Sequence, residues 1–302
     1  MACIKNRSEI LFLYDVTDAN PNGDPVDENK PRIDEETGVN IVTDVRLKRT
    51  VRDYLYYYKN LDVFVLELRD DKGNLKTKED RLADFKDNEE IIKKCIDVRL
   101  FGATTAVKDK TMTLTGPVQF KYGRSLHRVN VMYVKGTTVM PSGQDKKQGT
   151  FTEKYILPYS LIAFYGIVNE NAAANQGIDL TEEDVMYLLE GLWNGTKNLI
   201  STSKAGQMPR LLLQVVYKEK NFHTGELDKR IKFVSEKNDE EIRDIKDGVL
   251  DITELVGALN RHKNTIDRIN YKVDERLVLS MEGKAISIKE ALSGFDLNEL
   301  SF

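Results

Sequence analysis

Apolar positions recur in this chain as solid runs, as alternations and at helical spacing, and each pattern predicts a different element. Ile10-Leu11-Phe12-Leu13-Tyr14 is a continuous apolar run rich in β-formers. Such a run predicts a strand buried on both faces. Asp18-Ala-Asn-Pro-Asn-Gly-Asp-Pro25 follows it. This is turn chemistry: Asn22-Gly23 offers a φ > 0 position, and Pro21 and Pro25 fix φ on either side. Loops that leave a rigid strand often carry binding residues, with a plain connecting loop as the alternative. After a polar stretch from Val26 to Asn40, Thr43 is placed to cap a helix, with Asp44 at the positive end of its dipole. Leu47, Val51, Tyr54, Leu55 and Tyr58 share one face of that helix. Arg46, Lys48, Arg49 and Arg52 lie on the other side, and Asp53 is spaced to pair with Arg49. The basic face is either a solvated surface or a phosphate-binding strip; three arginines favour the strip, because a guanidinium forks onto phosphate oxygens.

Further along, the pattern is weaker. Leu61 to Leu68 alternates loosely and predicts a strand. Arg69 to Asp87 is charged, with a turn at Lys72-Gly73-Asn74, and Glu89 to Cys95 predicts a short helix. Asp97 to Gly102 turns the chain back toward the core. Residues 60–110 therefore read as an insertion without enough apolar residues for a core of its own. Leu114 to Tyr122 alternates and predicts a strand, with Pro117 at its start. A turn at Gly123-Arg124-Ser125 and a second strand from Arg128 to Tyr133 would complete a hairpin. That hairpin gathers Gln119, Lys121, Arg124, Ser125, His127 and Arg128. Lys135 to Lys154 is rich in Gly, Thr and Lys, with Lys146-Lys147 near its centre; an excursion of this length is functional or disordered. A strand from Tyr155 to Tyr165, a helix from Thr181 to Ile200 and a polar loop from Ser201 to Gln207 bearing Lys204 come next. A buried strand from Pro209 to Tyr217 closes the series. The helix carries Val185, Leu188, Leu189 and Leu192 as its stripe, with Trp193 in the core. The series is βαββαβ, an α/β (α+β) fold with a ferredoxin-like or RRM-like core in one domain spanning 1–302. Beyond Lys218 the chain is highly charged, with a helix predicted over Asp251 to Asn260 and a last strand over Leu277 to Met281.

Composition limits the chemistry. The 302 residues are 40% hydrophobic and 31% charged, with a net charge of −4, so any basic surface must be local. Cys3 and Cys95 form no CxxC, and His127, His223 and His262 are scattered. A disulfide framework is excluded and no zinc spacing exists, so no cofactor is expected. Two unpaired thiols fit a reducing cytoplasm. The first apolar run is too short for a signal or a membrane span, and Glu9 interrupts it. No Walker A, GxGxxG, GxSxG or HExxH motif occurs. The loop from Asp18 begins like a calcium loop, but its twelfth position is Asn29 where a bidentate Glu is required. Asp15, Asp18, Asp24 and Asp27 would hold Mg²⁺ for phosphodiester cleavage only if at least two converged.

Four blocks, taken in order, resemble a known family. They are Asp18 to Pro25, Val42-Thr-Asp-Val-Arg-Leu-Lys-Arg-Thr-Val-Arg-Asp-Tyr-Leu55, Val98-Arg-Leu-Phe-Gly102, and Thr115-Gly-Pro-Val-Gln-Phe120 with Gly123-Arg-Ser125. Together they are similar to the Cascade backbone subunit of type I CRISPR effectors, nearest the Csh-type group of subtype I-B. The strand Tyr155 to Tyr165 and the loop Ser201 to Arg210 agree more loosely. The resemblance implies an RRM-like palm with a finger insertion at about 60–110 and a thumb at about 135–154. It implies head-to-tail stacking of copies along a CRISPR RNA, whose bases stay free to pair with target DNA. It also implies company: a large subunit, a small subunit, a cap for the guide 5′ end and a guide-processing endonuclease. Carried onto this chain, the guide-binding positions are Asn20, Asn22, Arg46, Lys48, Arg49, Arg52, Gln119, Arg124 and Ser125. Lys146, Lys147 and Lys204 join them by position and charge. The implied role is a non-catalytic scaffold. Related type III subunits cut RNA with a loop aspartate, which keeps Asp18, Asp24 and Asp27 open as a metal-dependent RNase alternative.

Overall fold

A strand buried on both faces needs two different covers, and this chain supplies them from distant segments. The computed structural model describes residues 3–107, 110–137 and 151–302. The opening apolar run lies in β1, Ser8–Ala19. Its sheet also contains β2 (Val39–Val42), β3 (Val118–Phe120), β4 (Gly123–Arg128), β5 (Met132–Thr137) and β6 (Phe151–Val168). It is completed by β7 (Gln207–Tyr217), β8 (Ile266–Val273) and β9 (Leu297–Glu299). The order is β9-β8-β7-β1-β6-β4-β2, with β3 and β5 also laid along β6. Around β1 the pairings are antiparallel, Phe12 facing Phe164 of β6 on one side and Leu212 of β7 on the other. Taking β3–β4 as the second strand, the βαββαβ core has spatial order 4-1-3-2.

Two helices cover the first face. α1 (Asp44–Lys59) begins where Thr43 Oγ1 accepts from the Arg46 amide, as the capping pattern predicts. α2 (Glu182–Lys197) begins with a capping box between Thr181 and Asp184. They pack closely because α2 turns Gly191 and Gly195 toward Val51 and Tyr54; a Cβ on either glycine would lie 3.0 Å from them. Phe12, Tyr14 and Phe164 from the sheet meet Leu47, Val51, Leu188 and Leu192 there.

The C-terminal segment covers the second face. Leu11, Leu13, Leu161 and Leu213 pack against Leu250, Leu255, Leu259 and Leu279. The helix Thr253–Arg261 forms over the expected Asp251 to Asn260 region, shifted by one or two residues at each end. The strand Leu279–Met281 also forms, but β9 follows it. Glu9 fastens the segment down. Fully buried in β1, its carboxylate accepts from the Tyr165 and Tyr217 hydroxyls, from the Thr224 amide at 2.9 Å and from the Gly225 amide at 2.8 Å. Both faces of the sheet around β1 are thus covered.

Several local expectations are corrected. Leu61 to Leu68 forms no strand. Residues 60–110 do have a small core of Phe64, Leu82, Phe85, Ile91, Cys95 and Val98, completed by Met112 from the hairpin Gly102–Val107/Lys110–Thr115. Its members are spread along charged sequence, so no local window shows them together. The expected hairpin between 114 and 133 is absent. β3 and β4 do not pair with each other; both lie along β6, Phe120 opposite Gly166 and Arg124 opposite Ala163. At the end of β1 and in the loop after it, the positive φ angles fall on Asp18, Glu28 and Asn29, not on Asn22 or Gly23. Gly23 is needed for space: a Cβ there would lie 2.1 Å from Asn29 Oδ1. The Lys135 to Lys154 excursion opens from a ribbon in which Met132–Thr137 pairs with Phe151–Ile156. Lys146 and Lys147 lie outside the described residues.

Candidate nucleic-acid interface

The polar loop is tied to the start of α1 by one side chain. Asn22 Oδ1 accepts from the Thr43 amide and from the Thr43 hydroxyl, both at 2.8 Å. Asn20 is buried: its amide nitrogen donates to the Ser203 carbonyl at 2.7 Å and its Nδ2 to the Asn29 carbonyl at 2.6 Å. Asn20 Oδ1 is buried, with no hydrogen-bond partner among the described residues. The loop thus meets α1 on one side and the Ser201 to Gln207 connection on the other.

Arg46 and Lys204 come together at that junction. The Arg46 guanidinium donates to Thr50 Oγ1 at 2.8 Å. Lys204 Nζ donates to its neighbour's hydroxyl, Ser203 Oγ, at 3.2 Å. Burial lowers the pKa of Lys204, and the charge of Arg46 lowers it further. Burial also lowers Arg46, with Arg49 adding to the shift against the opposing pull of Tyr14 and Asp53. Among the described residues, neither cation pairs with a carboxylate. Two half-buried cations that repel each other form a site poised for an anion, which would relieve both the repulsion and the lost hydration. Arg46 itself belongs to the first turn of α1, the positive end of the helix dipole.

The other candidates are spoken for. Lys48 donates to Asp44 at 2.8 Å and to Gln119 Oε1 at 3.4 Å, while Gln119 Nε2 donates to the Gly116 carbonyl. Arg49 holds both oxygens of Asp53, at 2.7 and 2.9 Å, and stays partly exposed. Arg124 donates to Asp34 at 2.9 Å. It stands opposite Ala163, a member of the second core, so it lies on the far side of the sheet from α1. Ser125 is buried, accepting from the Asn40 amide and donating to the His127 carbonyl.

Arg52 corrects the helix-face reading most sharply. It is buried, with its Nε donating to Asp97 at 2.8 Å. The other work of Asp97 is to accept from the Phe64 and Val65 amides at 2.7 and 3.1 Å. Arg52 therefore ties the 60–110 insertion to α1 and is not part of a solvated basic strip. Periodicity placed it opposite the apolar face of α1, but the insertion packs over that side and supplies the carboxylate. Asp97, Thr50 and Ser203 were not singled out from the sequence. Only Asp97 left a trace there, as an acid inside the apolar stretch Cys95 to Phe101.

A family model described as CRISPR-associated protein Cas7 matches residues 6–253. The chain belongs to the Cas7 family. The CRISPR-associated protein Cas7 of Haloferax volcanii is 35% identical to it over 332 residues, covering 98% of this chain and 96% of the relative. Two solved structures share the fold. A chain of a CRISPR RNA-guided surveillance complex has TM-score 0.57 at 16% identity, covering 96% of this chain and 94% of that one. A chain of such a complex described as pre-nicking has TM-score 0.57 at 14% identity, covering 98% and 97%.

Within this member of the Cas7 family, the loop acids do not converge. Asp24 pairs with Arg32 at 3.5 Å and Asp27 with Lys30 at 2.7 Å, and Asp18 is exposed. Among the described residues no group of three His, Cys, Asp or Glu side chains is arranged to hold a metal ion. No helix among them is long and apolar enough to cross a membrane.

Proposed function

We propose that this chain is the guide-binding scaffold subunit of a type I-B Cascade. Copies stack head-to-tail along a CRISPR RNA, hold its backbone and leave its bases free to pair with target DNA. The observation that carries this reading is the Arg46–Lys204 pair: two cations without carboxylate partners, beside the Asn20–Asn22 loop and the first turn of α1. Membership of the Cas7 family supports it, as does the shared fold with chains of RNA-guided surveillance complexes. Lys48, Arg49 and Arg124 would exchange their carboxylate partners for phosphate oxygens on the same strand or its target. The remaining Cascade subunits would close the two ends of the stack, in the cytoplasm.

The test is purification with and without a co-expressed guide, followed by RNase treatment and sizing. A large RNase-resistant particle that forms only with the guide is the expected result. Arg46→Glu with Lys204→Glu should yield folded protein of monomer size that carries no RNA. Assembly of that double variant as in wild type would overturn the assignment of these two cations, and a clean monomer from the wild-type protein in both preparations would overturn the scaffold reading.

A further inference from the structure

The 60–110 insertion carries a groove of about 350 Å³ between the chain at 64–68, the short helix Lys78–Ala83 and the hairpin strand Gly102–Val107. Pockets that take small ligands begin near this size, at about 300 Å³. Phe64, Leu66, Leu68 and Ala103 give it apolar walls, and Lys76, Lys78 and Arg81 add cations. The walls are held in place without a ligand. Asp97 grips the Phe64 and Val65 amides, the Leu68 carbonyl accepts from the Lys76 amide at 2.8 Å, and Ala103 pairs with Leu114 across the hairpin. Two buried polar atoms of the lining residues are unmet. Arg81 Nη1 donates to Asp84 at 3.0 Å and Nη2 to the Val63 carbonyl at 2.9 Å, with the guanidinium over the Phe85 ring at 4.7 Å. Arg81 Nε is buried with no acceptor among the described residues. Thr105 is 4% exposed, and its Oγ1 also has no partner among them. Lys76 is neutralised by Asp84 at 3.1 Å, whereas Lys78 is exposed and has no carboxylate partner among the described residues.

We propose that this groove binds a small anion with an apolar body, a carboxylate carried on a hydrocarbon or aromatic frame. The carboxylate accepts from Arg81 Nε and from the Thr105 hydroxyl and faces Lys78, and the apolar body lies on Phe64, Leu66 and Leu68. Each half of such a ligand answers one property of the groove. A neutral apolar molecule would leave the Arg81 donor unmet, and an unmet buried donor is costly until an acceptor reaches it. A fully polar anion would leave the apolar walls against water. None of these residues is among those assigned to the guide, so the site stands or falls apart from that reading.

The experiment uses the full chain and two probes: anilinonaphthalene sulfonate, a fluorescent aromatic anion, and decanoate below its micelle concentration as the competitor. Decanoate should displace the dye, and the neutral decanol should do so far less well. Thr105→Val should weaken decanoate about 10-fold or more, the loss of a hydrogen bond to a charged group. The Tm of the free Thr105→Val protein should not fall, because the Thr105 hydroxyl has no partner there to lose. Lys78→Gln, an exposed change, should weaken decanoate roughly 1.5- to 5-fold, the range for one surface ion pair. Ala103→Leu, which fills the groove, should abolish displacement. Equal competition by decanol and decanoate makes the groove an apolar crevice and overturns the anion site. Unchanged decanoate affinity in Thr105→Val and in Lys78→Gln overturns it as well. Tyr57 and Ile200 are exposed elsewhere on the surface; loss of dye binding in Tyr57→Ser with Ile200→Ser, but not in Ala103→Leu, would place the dye there and refute the proposal. Displacement by single-stranded RNA but not by decanoate would give the groove to nucleic acid and refute it too.

Discussion

Arg52→Ala separates a structural role from a guide contact. In the folded chain Asp97 is fully buried and Arg52 nearly so, and the guanidinium lies over the Phe101 ring at 5.3 Å. Removing Arg52 strands a buried carboxylate, a loss that runs to about 3–5 kcal/mol. The Phe64 and Val65 amides still donate to Asp97, which places the cost near the lower end, about 3 kcal/mol. Unfolding entropy of roughly 2.1 cal/mol/K per residue gives about 0.6 kcal/mol/K for this chain, so Tm should fall by about 5 °C. Differential scanning calorimetry measures this directly. Asp97→Asn added to Arg52→Ala should recover part of the loss, since an amide oxygen can still accept from the insertion while no charge stays buried. The affinity of the folded Arg52→Ala protein for RNA should match wild type at 20 °C. A variant with Tm within about 1 °C of wild type and severely weakened RNA binding would refute the reasoning and return Arg52 to the guide surface.

Three further outcomes are expected. Burial holds the His127 pKa below its ordinary value, and the ring sits neutral, Nε2 accepting from the Leu161 amide and Nδ1 donating to the Arg128 carbonyl. The unfolded chain therefore takes up this proton first, so stability present above about pH 6.5 is lost as pH falls through that value, by up to about 1.4 kcal/mol per unit. Urea unfolding at pH 7.5 and 5.5 should show the loss, and His127→Asn should flatten it. Gly102→Ala should destabilise by more than about 1 kcal/mol in the same assay, because Gly102 has φ +72° and a Cβ there would lie 2.2 Å from the Leu114 carbonyl oxygen. Burial pushes the Cys95 thiol up to about 12, whereas Cys3 is exposed; a thiol-disulfide reagent should titrate one thiol in the native protein and a second only after unfolding.

What was readable from the sequence is what local chemistry determines. The run Ile10 to Tyr14 required burial on both faces. The caps at Thr43 and Thr181 and the stripes behind them defined α1 and α2. The apolar runs Tyr155 to Tyr165 and Pro209 to Tyr217 supplied the partners of β1, and the order of these elements gave the βαββαβ series. Each signal lies within one window of chain, where side-chain period and capping chemistry act directly. The tertiary structure decided which material covers each apolar face and which charge reaches each cation. Periodicity records that a face is apolar but not what packs on it, so the closure of the second sheet face by the charged C-terminal segment had no local sign. The same holds for the basic helix. Arg46, Lys48, Arg49 and Arg52 are near-equivalent as letters, yet their roles depend on carboxylates and cations brought up by folding. Asp97 arrives 45 residues after Arg52 and removes it from the surface. Lys204 arrives at Arg46 from a loop more than 150 residues further along the chain, and among the described residues neither cation pairs with a carboxylate.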